Sequence, residues 1–177
     1  MLRAAQRQAT LKAALETATE PLIGRKLAQE YGVSRQIIVQ DIAVLRARGL
    51  EVMATPQGYM LQKRPLRHTA VVACQHNEYE LMRQELYTVV DHGGVVVDVT
   101  VEHPVYGEIA GYLMLSNRVA VDRFMDKLQE NQAQPLASTT GGFHLHTLQA
   151  PDEKTLQGII AELEKLGVIT NKETAET

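Results

Sequence analysis

One cysteine, Cys74, stands among the 177 residues, so an internal disulfide is excluded and a reducing compartment fits the chain. No apolar run approaches the roughly 18 residues of a membrane span, which excludes a helical membrane protein. The opening residues Met1-Leu2-Arg3-Ala4-Ala5-Gln6-Arg7-Gln8 lack the apolar core and small-residue cleavage site of a secretory signal. The expected location is therefore the cytoplasm. Also missing are a nucleotide-binding glycine motif, a nucleophile elbow and a plausible catalytic triad. What is present is ordinary globular composition, 45% hydrophobic and 22% charged, in a length that suits one domain or two small ones.

Charge divides the chain. Residues 1–64 carry ten Lys/Arg against five Asp/Glu, a net of +5, whereas residues 65–177 carry eight against sixteen, a net of −8. A basic segment attracts polyanions because neutralised phosphates release condensed counterions, and an acidic one repels them. The halves are expected to serve different partners, with 1–64 as one domain and 65–177 as the other.

In the basic half, Ala5, Ala9, Leu11, Ala13, Ala14 and Leu15 predict a first helix ending near Glu20-Pro21, because proline disfavours helical geometry in the residue before it. A second helix is predicted over about Ile23–Tyr31, and Gly32 supplies a turn position where positive φ costs little. Ser34 is a good N-cap for a third helix running to about Arg48. Ala28, Gly32 and Ile38 stand where a helix-turn-helix needs a small residue, a turn glycine and an apolar residue closing the helices together. Ile38, Ile42 and Leu45 form the buried stripe of the third helix, leaving Ser34, Arg35, Gln36, Ile37, Val39 and Gln40 near its outward N-terminal side. In the major groove of double-stranded DNA, Arg pairs with guanine, Gln with adenine, and branched apolar groups meet thymine methyls. An inter-helix contact is the alternative role for Ile37 and Val39. After Gly49, the segments Leu50–Ala54 and Tyr59–Leu61 around the turn Thr55–Gly58 predict a hairpin, or wing. Residues 5–62 resemble the helix-turn-helix domain of biotin-repressor-like bacterial regulators. Similar domains also bind proteins.

Gln62-Lys63-Arg64-Pro65 reads as a polar junction. Beyond it the pattern predicts a strand over Thr69–Gln75, a helix over Glu78–Val90 and a turn at Gly93-Gly94. Strands are expected near Val95–Glu102 and Glu108–Leu115, then a helix capped by Ser116 and running from Arg118 to about Asn131. Short strands are expected on both sides of Gly141-Gly142, and a last helix over Asp152–Leu166. The order βαββαββα implies an α+β, sandwich-like domain with helices on one face of a mostly antiparallel sheet. Residues 171–177 read as a solvated tail.

His144-Leu145-His146 is the most informative tripeptide, since strand residues two apart face the same way and both imidazoles can address one ion. Zn, Ni or Fe takes three or four N/O ligands, which His76 and a nearby helix carboxylate would complete. A surface or core-satisfied role is the commoner reading of His-x-His alone. Cys74 could share the face of His76 if the strand extends that far; a buried, inert thiol is the ordinary alternative.

Val101-Glu102-His103-Pro104-Val105-Tyr106-Gly107-Glu108, followed by Gly141-Gly142-Phe143-His144-Leu145-His146-Thr147, resembles the three-histidine (3H) domain over about residues 67–170. Joined to a winged helix, it resembles the niacin-responsive transcriptional repressors of Firmicutes and Thermotogae. That resemblance implies a homodimer that represses niacin uptake and NAD synthesis genes at operator DNA when nicotinic acid is bound. It implies metal ligands at His76, Glu85, His144 and His146, with His103 and Tyr106 in the neighbouring signature loop joining His144 and His146 as effector contacts. The segment from His76 to Glu85 is one residue longer than the family's usual spacing, which leaves Glu78 or Glu80 as alternatives to Glu85. The competing readings are a metal-dependent hydrolytic enzyme fused to a winged helix, since such a metal could activate water, and a protein-interaction module.

Overall fold

The computed structural model describes residues 3–61 and 68–170. The junction at 62–65 and the tail at 171–177 lie outside the described residues. The chain divides into two compact units, Met1–Pro65 and Leu66–Thr177.

The first unit comprises α1 (Ala4–Thr17), α2 (Gly24–Glu30) and α3 (Arg35–Ala47), then the hairpin strands β1 (Val52–Thr55) and β2 (Gly58–Leu61). Leu11 and Leu15 of α1, Leu27 and Ala28 of α2, and Ile38, Ile42 and Leu45 of α3 form one core. Burying each large side chain contributes about 1.5–3 kcal/mol before entropy is set against it. The turn logic holds: Gly32 has φ 64°, and the Ser34 side chain accepts a hydrogen bond from Ile37 N to cap α3. The expectation for α1 needs correction, because Ala5, Ala9 and Ala13 are exposed and the buried positions are Arg7, Gln8, Leu11 and Leu15. The buried polar pair is explained by its partner on α3. Arg7 Nε lies 2.5 Å from Asp41 Oδ2, and Gln8 Nε2 donates to Asp41 Oδ1 at 2.9 Å. The wing is tied down as well: Leu22 N donates to Tyr59 O at 2.7 Å and Tyr59 N to Leu22 O at 2.8 Å.

The second unit runs β3 (His68–Gln75), α4 (Tyr79–Asp91), β4 (Val95–His103), β5 (Gly107–Leu115), α5 (Arg118–Glu130), β6 (Phe143–Ala150) and α6 (Glu153–Leu166). A short 3-10 helix, Leu136–Thr140, precedes β6 where a strand was expected, and the α5 cap is Asn117, whose side chain accepts from Ala120 N, rather than Ser116. The four strands form one antiparallel sheet in the order β3-β6-β4-β5. Alternate residues Val72 and Cys74 of β3, His144, His146 and Leu148 of β6, and Leu113 and Leu115 of β5 are buried. Helices α4, α5 and α6 supply the other half of that core through Leu86, Val89, Val121, Met125, Leu156 and Ile159.

Candidate metal centre and nucleic-acid interface

Placing the histidines requires two strands and a helix. Cys74 of β3 pairs in register with His144 of β6, and Val72 with His146, so both histidines project from the inner side of a central strand toward the helices. Glu85 sits four residues before Val89 on α4 and therefore on that helix's buried stripe, where a carboxylate is costly unless partnered. Its partners are the three imidazoles. Glu85 Oε2 lies 2.7 Å from His76 Nε2, 3.6 Å from His144 Nε2 and 3.7 Å from His146 Nε2. The His76 and His144 ring centroids are 5.0 Å apart, and those of His144 and His146 are 4.8 Å apart. Glu78 and Glu80 are exposed, so Glu85 is the carboxylate the fold brings to the histidines.

Backbone carbonyls set the ring orientations. His144 Nδ1 donates to Gly142 O at 2.8 Å and His146 Nδ1 to Asp98 O at 2.5 Å. A carbonyl only accepts, so each Nδ1 carries a hydrogen and each ring turns its Nε2 toward the cluster. The Asp98 carbonyl reaches His146 where the β4 register shifts between Val96 and Thr100, and the Asp98 side chain accepts from Thr147 N. Asp98 was not singled out from the sequence, and nothing in its local pattern distinguishes it.

Burial raises the cost of charge on Glu85, but the field of His146 and hydrogen bonds from His144, His146 and His76 outweigh it and hold the carboxyl well below its ordinary range. Desolvation opposes charge on His146, and the neighbouring Glu85 outweighs it, raising the imidazole. Glu85 Oε1 is buried with no hydrogen-bond partner. Three imidazole nitrogens within 3.7 Å of one carboxylate oxygen, with the other oxygen of that carboxylate unsatisfied, are a donor set that suits a divalent transition metal such as Ni, Zn or Fe. Cys74 is fully buried, with one ligand atom each from Cys74, Glu85 and His144 lying within 4.8 Å of one another. Burial and the adjacent Glu85 push its thiol far up, so it remains protonated.

A cavity of about 280 Å³ opens beside the cluster, lined by His76, His144 and His146 and by apolar side chains that include Met82, Leu86, Leu113 and Phe124. His103 and Tyr106 do not line it. They sit together at the tip of the β4–β5 hairpin, their rings 4.9 Å apart, and His103 Nδ1 accepts from Val105 N and Tyr106 N, holding the turn.

In the first unit, Ser34, Arg35, Gln36, Val39 and Gln40 are exposed on the first turns of α3, while Ile37 is half-buried. Val39 is 38% exposed, an apolar side chain on an otherwise polar surface. Among the described residues, no helix is long and apolar enough to cross a membrane.

Comparison with known proteins agrees with this division of the chain. Residues 69–172 match the 3H domain family and residues 7–60 an HTH domain family. The chain is 46% identical over 155 residues to the "probable transcription repressor NiaR" of Thermotoga maritima, covering 88% of each sequence. It is 37% identical over 172 residues to the "transcription repressor NadR" of Bacillus subtilis, covering 95% of each. Both relatives are named as transcription repressors, and with the HTH domain of this chain that role is non-enzymatic.

Proposed function

Because the chain belongs to the family of transcription repressors that join a helix-turn-helix to a 3H domain, we propose that it represses niacin-uptake and NAD-synthesis genes in response to nicotinic acid. The family assignment makes it a DNA-binding repressor; the effector reading rests on one observation. Three imidazole nitrogens converge on the buried Glu85 at the wall of an apolar cavity large enough for a single aromatic ring. His76, Glu85, His144 and His146 would hold a divalent ion, which supplies a positive charge for a ligand carboxylate. His144 and His146 line the space where that carboxylate meets the ion, and Leu86, Leu113 and Phe124 receive the ring.

Arg35 and Gln36 read base edges in this scheme, Ser34 and Gln40 support the approach, and Ile37 and Val39 offer methyl contacts. The protein acts in the cytoplasm as a homodimer on two half-sites of operator DNA. A ligand shifts the DNA equilibrium only by its differential affinity for two arrangements of the dimer, so DNA and effector strengthen each other reciprocally.

The test is calorimetric titration of nicotinic acid and nicotinamide into metal-loaded protein, metal-stripped protein and His144→Ala, with DNA titrations at matched salt. Binding that needs metal, prefers the acid and tightens DNA supports the reading. Equal DNA affinity with and without nicotinic acid sinks it.

A further inference from the structure

β5 holds a glycine that its backbone does not require. Gly111 lies inside the strand, two residues before the buried Leu113, and so on the side that faces the helices. Glycine weakens a strand, and its usual reasons there are a bulge, a bend or the close approach of another group. Gly111 has no positive φ and pairs in regular register with Val99 of β4. A Cβ placed on it would meet only Val99 Cγ1, at 3.6 Å, which is ordinary contact. The missing side chain thus avoids no clash within the protein. What it leaves is room, and the room belongs to the cavity beside the histidines, which Gly111 lines.

That cavity exceeds the needs of one ring. Its floor crosses three neighbouring strands, from His144 and His146 on β6, over Val99 on β4, to Gly111 on β5. Adjacent strands stand about 4.8 Å apart, so the floor spans roughly 10 Å from β6 to β5. The volume of about 280 Å³ is nearly twice the roughly 150 Å³ that holds benzene in a dry protein cavity. Away from the histidines the sheet contributes Val99 and Leu113, and α5, which packs on β5, contributes Phe124 and Leu128.

We propose that Gly111 is a specificity-determining residue, keeping a distal compartment open so that the site accepts aromatic carboxylates of two fused rings. The inference rests on the carboxylate-binding reading above and deepens it by naming the ligand class. The carboxylate lies at the histidines, the first ring over Val99 and the second over Gly111. The extension must be uncharged, because no lysine or arginine lines the cavity and Glu78 does. A ring carrying a ribose phosphate would bring its anion into an apolar space beside a carboxylate, and is rejected.

The experiment titrates nicotinic acid and quinoline-3-carboxylic acid calorimetrically into the nickel-loaded full chain and into Gly111→Ala and Gly111→Val. The quinoline acid keeps the nitrogen and carboxylate of nicotinic acid and adds one ring on the side away from the carboxylate. Wild type is expected to bind the two acids within about tenfold of each other, and Gly111→Val to weaken the quinoline acid by about tenfold or more while changing nicotinic acid little. Gly111→Ala should fall between them, and carries the same test if the valine variant fails to fold. Ile109→Val, on the same strand but outside the cavity lining, should bind both acids as wild type does. Circular dichroism and nickel affinity report that each variant keeps its fold and its metal centre. Wild type that binds nicotinic acid but not the quinoline acid, or a folded Gly111→Val that weakens both equally, would overturn the inference and leave the functional reading standing. Binding of the quinoline acid without nicotinic acid would support the distal compartment and remove the effector. Binding of neither would overturn both.

Discussion

Gly142 lies so close to His76 that a Cβ placed on it would stand 2.4 Å from the His76 carbonyl oxygen. Its φ of 89° is also a conformation that side-chain-bearing residues rarely adopt. Through its own carbonyl, Gly142 accepts from His76 N and from His144 Nδ1, so one residue sets two of the three imidazoles. Gly142→Ala is expected to cost roughly 1–3 kcal/mol of stability from backbone strain and to weaken nickel binding. Gly141→Ala, at a φ of 64° with open space around it, should lower stability while leaving metal affinity nearly unchanged. Equal metal affinity in both variants would remove Gly142 from the site.

Removing Glu85 separates a metal site from a buried ion pair. Glu85→Gln keeps the shape but leaves an amide that ligates metal poorly. Affinity for zinc or nickel, followed by competition with a chelator, is expected to fall by at least about tenfold, the scale seen when a ligand's electrostatic support is lost. Glu78→Gln and Glu80→Gln, both at exposed positions, serve as controls and should bind as wild type does.

The pH dependence of the metal-free protein follows from the same cluster. Glu85 is held below its ordinary range, so its contribution is present above the unfolded value of about 4.3 and is lost as pH falls through the folded value. His146 is raised, so its contribution is present below the unfolded value of about 6.5 and is lost as pH rises through the folded value. The two overlap between about pH 4.3 and 6.5, where metal-stripped protein is expected to melt highest. With saturating metal the gain in Tm over stripped protein should grow toward pH 7.5, because ligation requires the imidazoles to give up their protons. A gain that is flat across this range would contradict the assignment.

At the DNA end, Arg35→Ala and Gln36→Ala should each cost about 1–3 kcal/mol of discrimination against operator substitutions at one base pair. Binding to non-specific DNA should change little for Gln36→Ala. The measurement is fluorescence anisotropy with operator variants at fixed salt. Uniform weakening across every sequence would show a phosphate contact instead.

Core truncation should act on each unit separately. Leu15, fully buried in the first unit, is expected to lose about 2–5 kcal/mol on substitution by alanine. DNA binding would fail at lower temperature while nickel binding stays close to wild type. A parallel loss of both would show that the units unfold together.

Much of this arrangement was legible in the sequence because local rules and tertiary demands agree there. Ser34, Gly32 and the Ile38–Ile42–Leu45 stripe announce the recognition helix, and the alternation of His144-Leu145-His146 announces a strand with both imidazoles on one side. Glu85 was legible only through resemblance, although a carboxylate at a core position of an amphipathic helix is itself a signal. The first helix was misread in its details because Arg7 and Gln8 are buried by Asp41, a partner 34 residues from Arg7 that no local period reveals. The segment before Gly141 was expected as a strand, yet Leu136–Thr140 coils into a 3-10 helix in which Thr139 and Thr140 bond back to Leu136 O and Ala137 O. His103 and Tyr106 attract attention as a motif, and the structure places them at the tip of the β4–β5 hairpin, where His103 Nδ1 accepts from Val105 N and Tyr106 N, a placement that spacing alone does not reveal.

The two hydrogen bonds between Leu22 and Tyr59 have a consequence for how DNA is met. They weld the wing to the loop before α2, so wing and recognition helix travel as one stencil of fixed width. A stencil of that kind cannot widen or narrow, so the surface it offers to a duplex is set by the fold of residues 3–61 rather than by the sequence it meets.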